Sequence, residues 1–216
     1  FQTETTLDGQ VQELRSVLVE QANSPVTLVG FSWGALLSFI LAARHPELVK
    51  KLILVSCPPF EAHYAAAITQ VRMNRLNSKG RATAQSLLAR LADPDTPNKN
   101  ALLAELGTLL AKADAYDPAN VPEEGFHCQY DVFQGVWDEA CELREKQILL
   151  QMAQAIKCPV LAIHGDWDPH PAEGVSEPLA TVLPDFRIVV LEKCGHRPWI
   201  ERTASEEFYK TLVEAI

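Results

Sequence analysis

Apolar positions along the chain alternate between two spacings. From Leu7 to Ala22 they fall at Leu7, Val11, Leu14, Val17, Leu18 and Ala22. That spacing is close to 3.6 and predicts an amphipathic helix. Asn23, Ser24 and Pro25 end it. Val26 to Val29 is a short apolar run rich in β-branched residues, the pattern of a buried strand. From Trp33 to Arg44 the pattern is helical again, and His45-Pro46 stops it. KLILVS, residues 51–56, predicts a second buried strand closed by Pro58-Pro59.

Residues 60–157 read differently. They are rich in Ala, Leu, Gln and charge, carry no convincing strand, and are punctuated by Pro94, Pro97, Pro118 and Pro122. Helices are expected over roughly 62–77, 80–92, 99–113 and a broken 127–155. Strand patterns return at PVLAIHG, residues 159–165, and at FRIVVLE, residues 186–192. A helix is expected over roughly 172–183 between them and another from Thr203 to Ala215 after them. Helices alternating with strands apolar on both faces predict an α/β fold with a parallel sheet.

The chain has 216 residues, enough for one domain with a large insertion and for a core without staples. A net charge of −9 with no basic patch argues against nucleic acid or an anionic membrane surface as partner. Cys57, Cys128, Cys141, Cys158 and Cys194 form no C-x-x-C pair and are odd in number. Neither a disulfide framework nor a zinc site is expected, and reduced thiols point to the cytoplasm. No signal peptide and no apolar run of spanning length is visible.

Reactive groups in such sheets collect beyond the carboxyl ends of strands. GFSWG, with Ser32 between Gly30 and Gly34, follows the first strand. GDWDPHP, with Asp166 and Asp168, follows the third, and CGHRPWIE, with His196, follows the fourth. Serine, carboxylate and histidine thus share one sheet edge in the chain order of the nucleophile elbow. A serine hydroxyl is a poor nucleophile until a base takes its proton. A neutral imidazole can do that near pH 7, and a buried carboxylate fixes its tautomer. The glycines suit a strained turn and a close approach of strand and helix. The Trp33 N–H, at the positive end of its helix, is a candidate oxyanion donor.

Over essentially all of its length except residues 60–157, the chain resembles the α/β-hydrolase fold family. The SWG of the elbow is similar to that of proline iminopeptidases and related cap-bearing hydrolases. The resemblance implies a parallel sheet core with helices on both faces, core segments 1–57 and 158–216, and an inserted helical cap over 58–157. It implies Ser32 as nucleophile, His196 as base and Asp168, rather than Asp166, as the acid, with no cofactor and no metal. Family members carry earlier strands and a His-Gly loop that supplies a second oxyanion donor. Nothing in the chain matches that loop. The expectation is a chain shorter than the working enzyme, slow on esters and self-associating through an open sheet edge.

The expected activity is hydrolysis of a small or medium ester, thioester or amide through an acyl-enzyme. A proline-iminopeptidase-like aminopeptidase and a non-catalytic ligand- or partner-binding member are the alternatives. Phe31, Trp137 and His170 are candidate pocket residues. Trp137 could equally be plain core, and His170 could be structural. His164, inside a strand, is expected to be a satisfied core histidine, and Cys194 a packing residue. Acidic Glu123, Glu124, Asp131, Asp138 and Glu139 are expected on a solvated face, or, in an aminopeptidase, on a substrate ammonium. The helices of 60–157 are expected to move more than the sheet, because their prolines and lack of strand pattern suggest few contacts with the core.

Overall fold

The computed structural model describes residues 2–119 and 128–216. Four strands, β1 (Val26–Phe31), β2 (Val49–Val55), β3 (Val160–Gly165) and β4 (Phe186–Leu191), form one parallel sheet in the order β1-β2-β3-β4. The inner strands β2 and β3 carry short, nearly continuous buried apolar runs, whereas the edge strands leave Val29 of β1 and Val190 of β4 exposed. Helix α1 (Leu7–Gln21) precedes β1, and α2 (Trp33–Arg44) links β1 to β2. Between β2 and β3 come α3 (Ala62–Ala65), α4 (Ile68–Arg75), α5 (Ser78–Ala92), α6 (Lys99–Ala113), α7 (Tyr130–Glu145) and α8 (Ile148–Ala153). Helix α9 (Glu173–Val182) links β3 to β4, and α10 (Ser205–Ala215) follows β4.

The register shows which residues face which layer. Leu28, Leu52, Val160 and Phe186 stand in one row, and Gly30, Leu54, Ala162 and Ile188 in a second. All of these except Gly30 pack in a single core with residues of α1, α2, α8 and α9. Phe31, Val55, Ile163 and Val189 form the alternate row and pack against Phe208 and Leu212 of α10. Nine of the twelve residues of α2 are buried, which explains why its sequence is apolar almost all round. Its Phe39 meets Phe60 edge-on at 4.7 Å, a geometry that adds about 0.5–1.5 kcal/mol to the area buried.

The helices between β2 and β3 divide into two groups. Met73, Leu76, Leu87, Leu91, Leu102 and Leu106 make a separate cluster of α4, α5 and α6. Phe60, Ala140, Leu149, Ala153 and Ile156 belong instead to the main core. The expectation of few contacts with the core therefore fails for the end of this segment. The same 3.6 spacing serves both groups, so periodicity alone could not separate them. Glu139 of α7 accepts the Leu7 N–H at 2.8 Å and caps α1, whose Thr6 side chain accepts from Gly9 at 3.1 Å.

Candidate active site

The turn from β1 to α2 is the sharpest feature of the sheet edge. Ser32 has φ 51° and ψ −120°, a region that costs a non-glycine residue about 1–3 kcal/mol. Its side chain makes no capping bond to α2, so the helix-cap reading of this serine has no support in the geometry. Its backbone N–H continues the sheet ladder, donating to the Val55 carbonyl at 2.9 Å. A Cβ on Gly30 would strike the Gly34 carbonyl oxygen and come within 2.6 Å of the Ala35 Cα. Only glycine lets strand and helix approach this closely. Gly34 differs from the expectation: apart from its chain neighbours and the backbone of its own helix, no described atom lies within 4 Å of the position its Cβ would take.

His196 Nε2 lies 3.0 Å from Ser32 Oγ, and His196 Nδ1 lies 2.7 Å from Asp168 Oδ2. Asp168 is 6% exposed. Burial alone would raise its carboxyl, but His196 beside it and hydrogen bonds from His170 and His196 outweigh burial and hold it well below the usual carboxylate range. Asp166 stays off the imidazole and accepts the Cys194 N–H at 3.0 Å, which shapes the turn.

The other candidates lie as follows. Phe31 is half-buried, with its ring 5.0 Å from that of His196 and 4.6 Å, edge-on, from that of Trp199. Trp137 stacks on Phe133 within α7 at 5.7 Å. His170 is buried, and its Nδ1 is spent on Asp168 Oδ1 at 2.9 Å. Burial pushes the His170 imidazole down to about 4. His164 is only half satisfied: Nε2 is paired with the His170 carbonyl at 2.8 Å, while its buried Nδ1 meets no hydrogen-bond partner among the described residues. Cys194 is fully buried and its thiol is pushed up to about 12, mainly by burial, so it is no thiolate nucleophile. Trp33 Nε1 donates to Gln10, and its backbone N–H heads α2, where no preceding turn of helix supplies a carbonyl.

Of the acidic residues, Glu139 is engaged with α1 and Asp138 accepts from Gln134 at 2.8 Å. Asp131 is exposed, and Glu123 and Glu124 lie outside the described residues. Asp168, His170 and His196 bring three metal-type donor atoms within 4.8 Å of one another. Here the two imidazole Nδ1 atoms are hydrogen bonded to the two carboxylate oxygens. A cleft of about 350 Å³ runs along Asp166, Asp168 and the start of α9, walled by Val71 and Arg75. Neither Ser32 nor His196 lines it.

Glu201 lies wholly buried beside this centre, and nothing in its spacing signals that. Oε1 accepts the Gly195 N–H at 3.0 Å and the Tyr116 N–H at 2.9 Å, and Oε2 accepts the Asp117 N–H at 2.8 Å. The His196 N–H donates to the Asp114 carbonyl at 2.8 Å, and Asp114 receives a two-pronged bond from Arg72 at 2.8 and 2.6 Å. Residues 114–119 are thereby fastened to the loop that carries His196.

Comparison with known proteins agrees with this architecture. The pimeloyl-[acyl-carrier protein] methyl ester esterase of Neisseria meningitidis serogroup A is 21% identical over 213 residues, covering 95% of this chain and 62% of that protein. The chain thus spans less than two thirds of that relative's length. The crystal structure of VinJ superposes with a TM-score of 0.65 at 18% identity, covering 97% of this chain and 72% of that one. The proline iminopeptidase of Mycobacterium smegmatis does so with a TM-score of 0.57 at 18% identity, covering 97% and 71%. The family model described as alpha/beta hydrolase fold matches residues 21–203. With the sheet order, the strained turn and that match together, this chain belongs to the α/β-hydrolase fold family.

Proposed function

We propose that the protein is a serine hydrolase that cleaves a small or medium ester, thioester or amide through an acyl-enzyme. One observation carries the reading: a strained Ser32 whose Oγ lies 3.0 Å from His196 Nε2, with the opposite ring nitrogen 2.7 Å from a buried carboxylate. Ser32 Oγ attacks the carbonyl carbon while His196 Nε2 takes its proton. The Trp33 N–H faces the oxygen that gains charge. The carbon–heteroatom bond then breaks, and His196 returns the proton to the leaving alcohol, thiol or amine. Water repeats the sequence on the acyl-serine, with His196 again as base, and releases the acid. Asp168 keeps the proton on His196 Nδ1 and stabilises the imidazolium.

The Neisseria relative is named a methyl ester esterase, which favours an ester over an amide. An aminopeptidase needs a carboxylate for the substrate ammonium, and two of the acidic candidates are already engaged. Turnover of p-nitrophenyl esters beside aminoacyl amides tests the reading. Ester hydrolysis that vanishes in Ser32→Ala, while the variant keeps its fold, is expected. Unchanged ester hydrolysis by Ser32→Ala would end the proposal.

A further inference from the structure

Asp168 has two carboxylate oxygens, and the proposed reaction uses one of them. Oδ2 accepts from His196 Nδ1 at 2.7 Å. Oδ1 accepts twice from residue 170, from its backbone N–H at 2.9 Å and from its ring Nδ1 at 2.9 Å. The local sequence prepares this. Pro169 fixes the backbone between the two residues, and an aspartate readily accepts the N–H two positions on. Pro171 restricts His170 to extended conformations. His164, on β3, pairs its Nε2 with the His170 carbonyl at 2.8 Å. His170 is 4% exposed, and its ring rests 4.7 Å, centroid to centroid, from that of His196.

We infer that His170 is a positioning residue for Asp168: its Nδ1–H holds Oδ1, so that Oδ2 stays on His196. The inference rests on the serine-hydrolase reading of the site. A carboxylate with one oxygen tied twice cannot turn about its terminal torsion without breaking two bonds. His196 therefore keeps one orientation towards Ser32. Buried as it is, the His170 ring is uncharged near neutral pH. It supplies a donor without a cation. A cation at this place would oppose the imidazolium that forms on His196 when Ser32 gives up its proton. An amide side chain could supply the same donor, because Asn Nδ2 stands the same number of bonds from Cα as His Nδ1.

His170 acts only through Asp168, so its loss should fall on kcat and not on KM. The experiment measures both on a p-nitrophenyl ester for wild type, His170→Leu and His170→Asn, with circular dichroism as a check of folding. His170→Leu, which lacks the donor, should lose about 10- to 100-fold in kcat with little change in KM. His170→Asn, which keeps a donor, should recover most of that loss. Equal kcat in wild type and folded His170→Leu, or equal losses in the two variants, would overturn the inference. A second arm needs no variant: nitrogen-15 spectra of the wild-type histidines at pH 7 should show His170 as the Nδ1–H tautomer. A bare Nδ1 there would overturn the inference whatever the kinetics. Absence of any ester turnover by wild type would instead strike the serine-hydrolase reading, so the two failures are distinct.

Discussion

Glu201 offers the sharpest perturbation outside the Ser32, Asp168 and His196 centre. Its carboxylate is wholly buried and accepts three backbone N–H groups, from Gly195, Tyr116 and Asp117. Hydrogen bonds to a charged acceptor are worth about 1.5–3 kcal/mol each, and a buried donor left unpaired costs about 1–3 kcal/mol. Glu201→Ala removes all three acceptors at once. The three losses are not independent, because the freed chain can relax and admit water. A destabilisation of about 3–6 kcal/mol is expected, a large share of the 5–15 kcal/mol typical of a domain. Glu201→Gln keeps the shape and one oxygen. With that oxygen on Gly195 and Tyr116, only the Asp117 N–H faces a donor, and the expected loss is about 1.5–3 kcal/mol. Urea unfolding followed by fluorescence and by circular dichroism measures both. Activity should fall alongside stability, because Gly195 leads directly into His196, whose own N–H is held by the Asp114 carbonyl. A Glu201→Ala variant within 1 kcal/mol of wild type and with unchanged kcat would refute this role.

Three further outcomes follow from the same contacts. Gly30→Ala should cost at least about 1–3 kcal/mol, because its Cβ meets backbone that cannot swing aside, whereas Gly34→Ala should be far milder; equal midpoints in urea for the two would contradict the geometry. Stability should fall as pH drops from about 6.5 towards 4. His170, lowered to about 4 by burial, binds fewer protons folded than unfolded over that window and contributes about 1.4 kcal/mol per pH unit, while His164 acts in the same direction. Urea titrations flat between pH 7 and pH 4.5 would sink this. Hydrogen exchange should be faster in α5 and α6 than in β2 and β3, with α8 protected like the sheet because Leu149 and Ala153 sit in the main core. Protection of α5 and α6 equal to that of the sheet would contradict it.

The strands and most helices were legible because each strand is a short apolar run broken by glycine or proline, and each helix repeats near 3.6. Ser32, Asp168 and His196 could be picked out because each follows its own strand, and position along a parallel sheet converts directly into position at its edge. What stayed hidden depends on partners distant in the chain. Glu201 binds amides 84 and 85 residues away, and no spacing rule links such positions. His170 could be placed near the site, but which way its ring turned depended on an aspartate-centred turn and on His164 beneath it. The place of Ala140–Ile156 in the main core was hidden for a different reason: a helix that joins the main core and one that packs in a separate helical cluster share one periodicity.

The central claim is that Ser32 is an activated nucleophile. Its most direct measurement is incubation with a fluorophosphonate, followed by intact mass and peptide mapping. One adduct per chain is expected, on the peptide carrying Ser32, with no adduct on Ser32→Ala and much slower labelling of His196→Ala. No adduct on the folded wild-type protein, or an adduct that persists in Ser32→Ala, would contradict the claim.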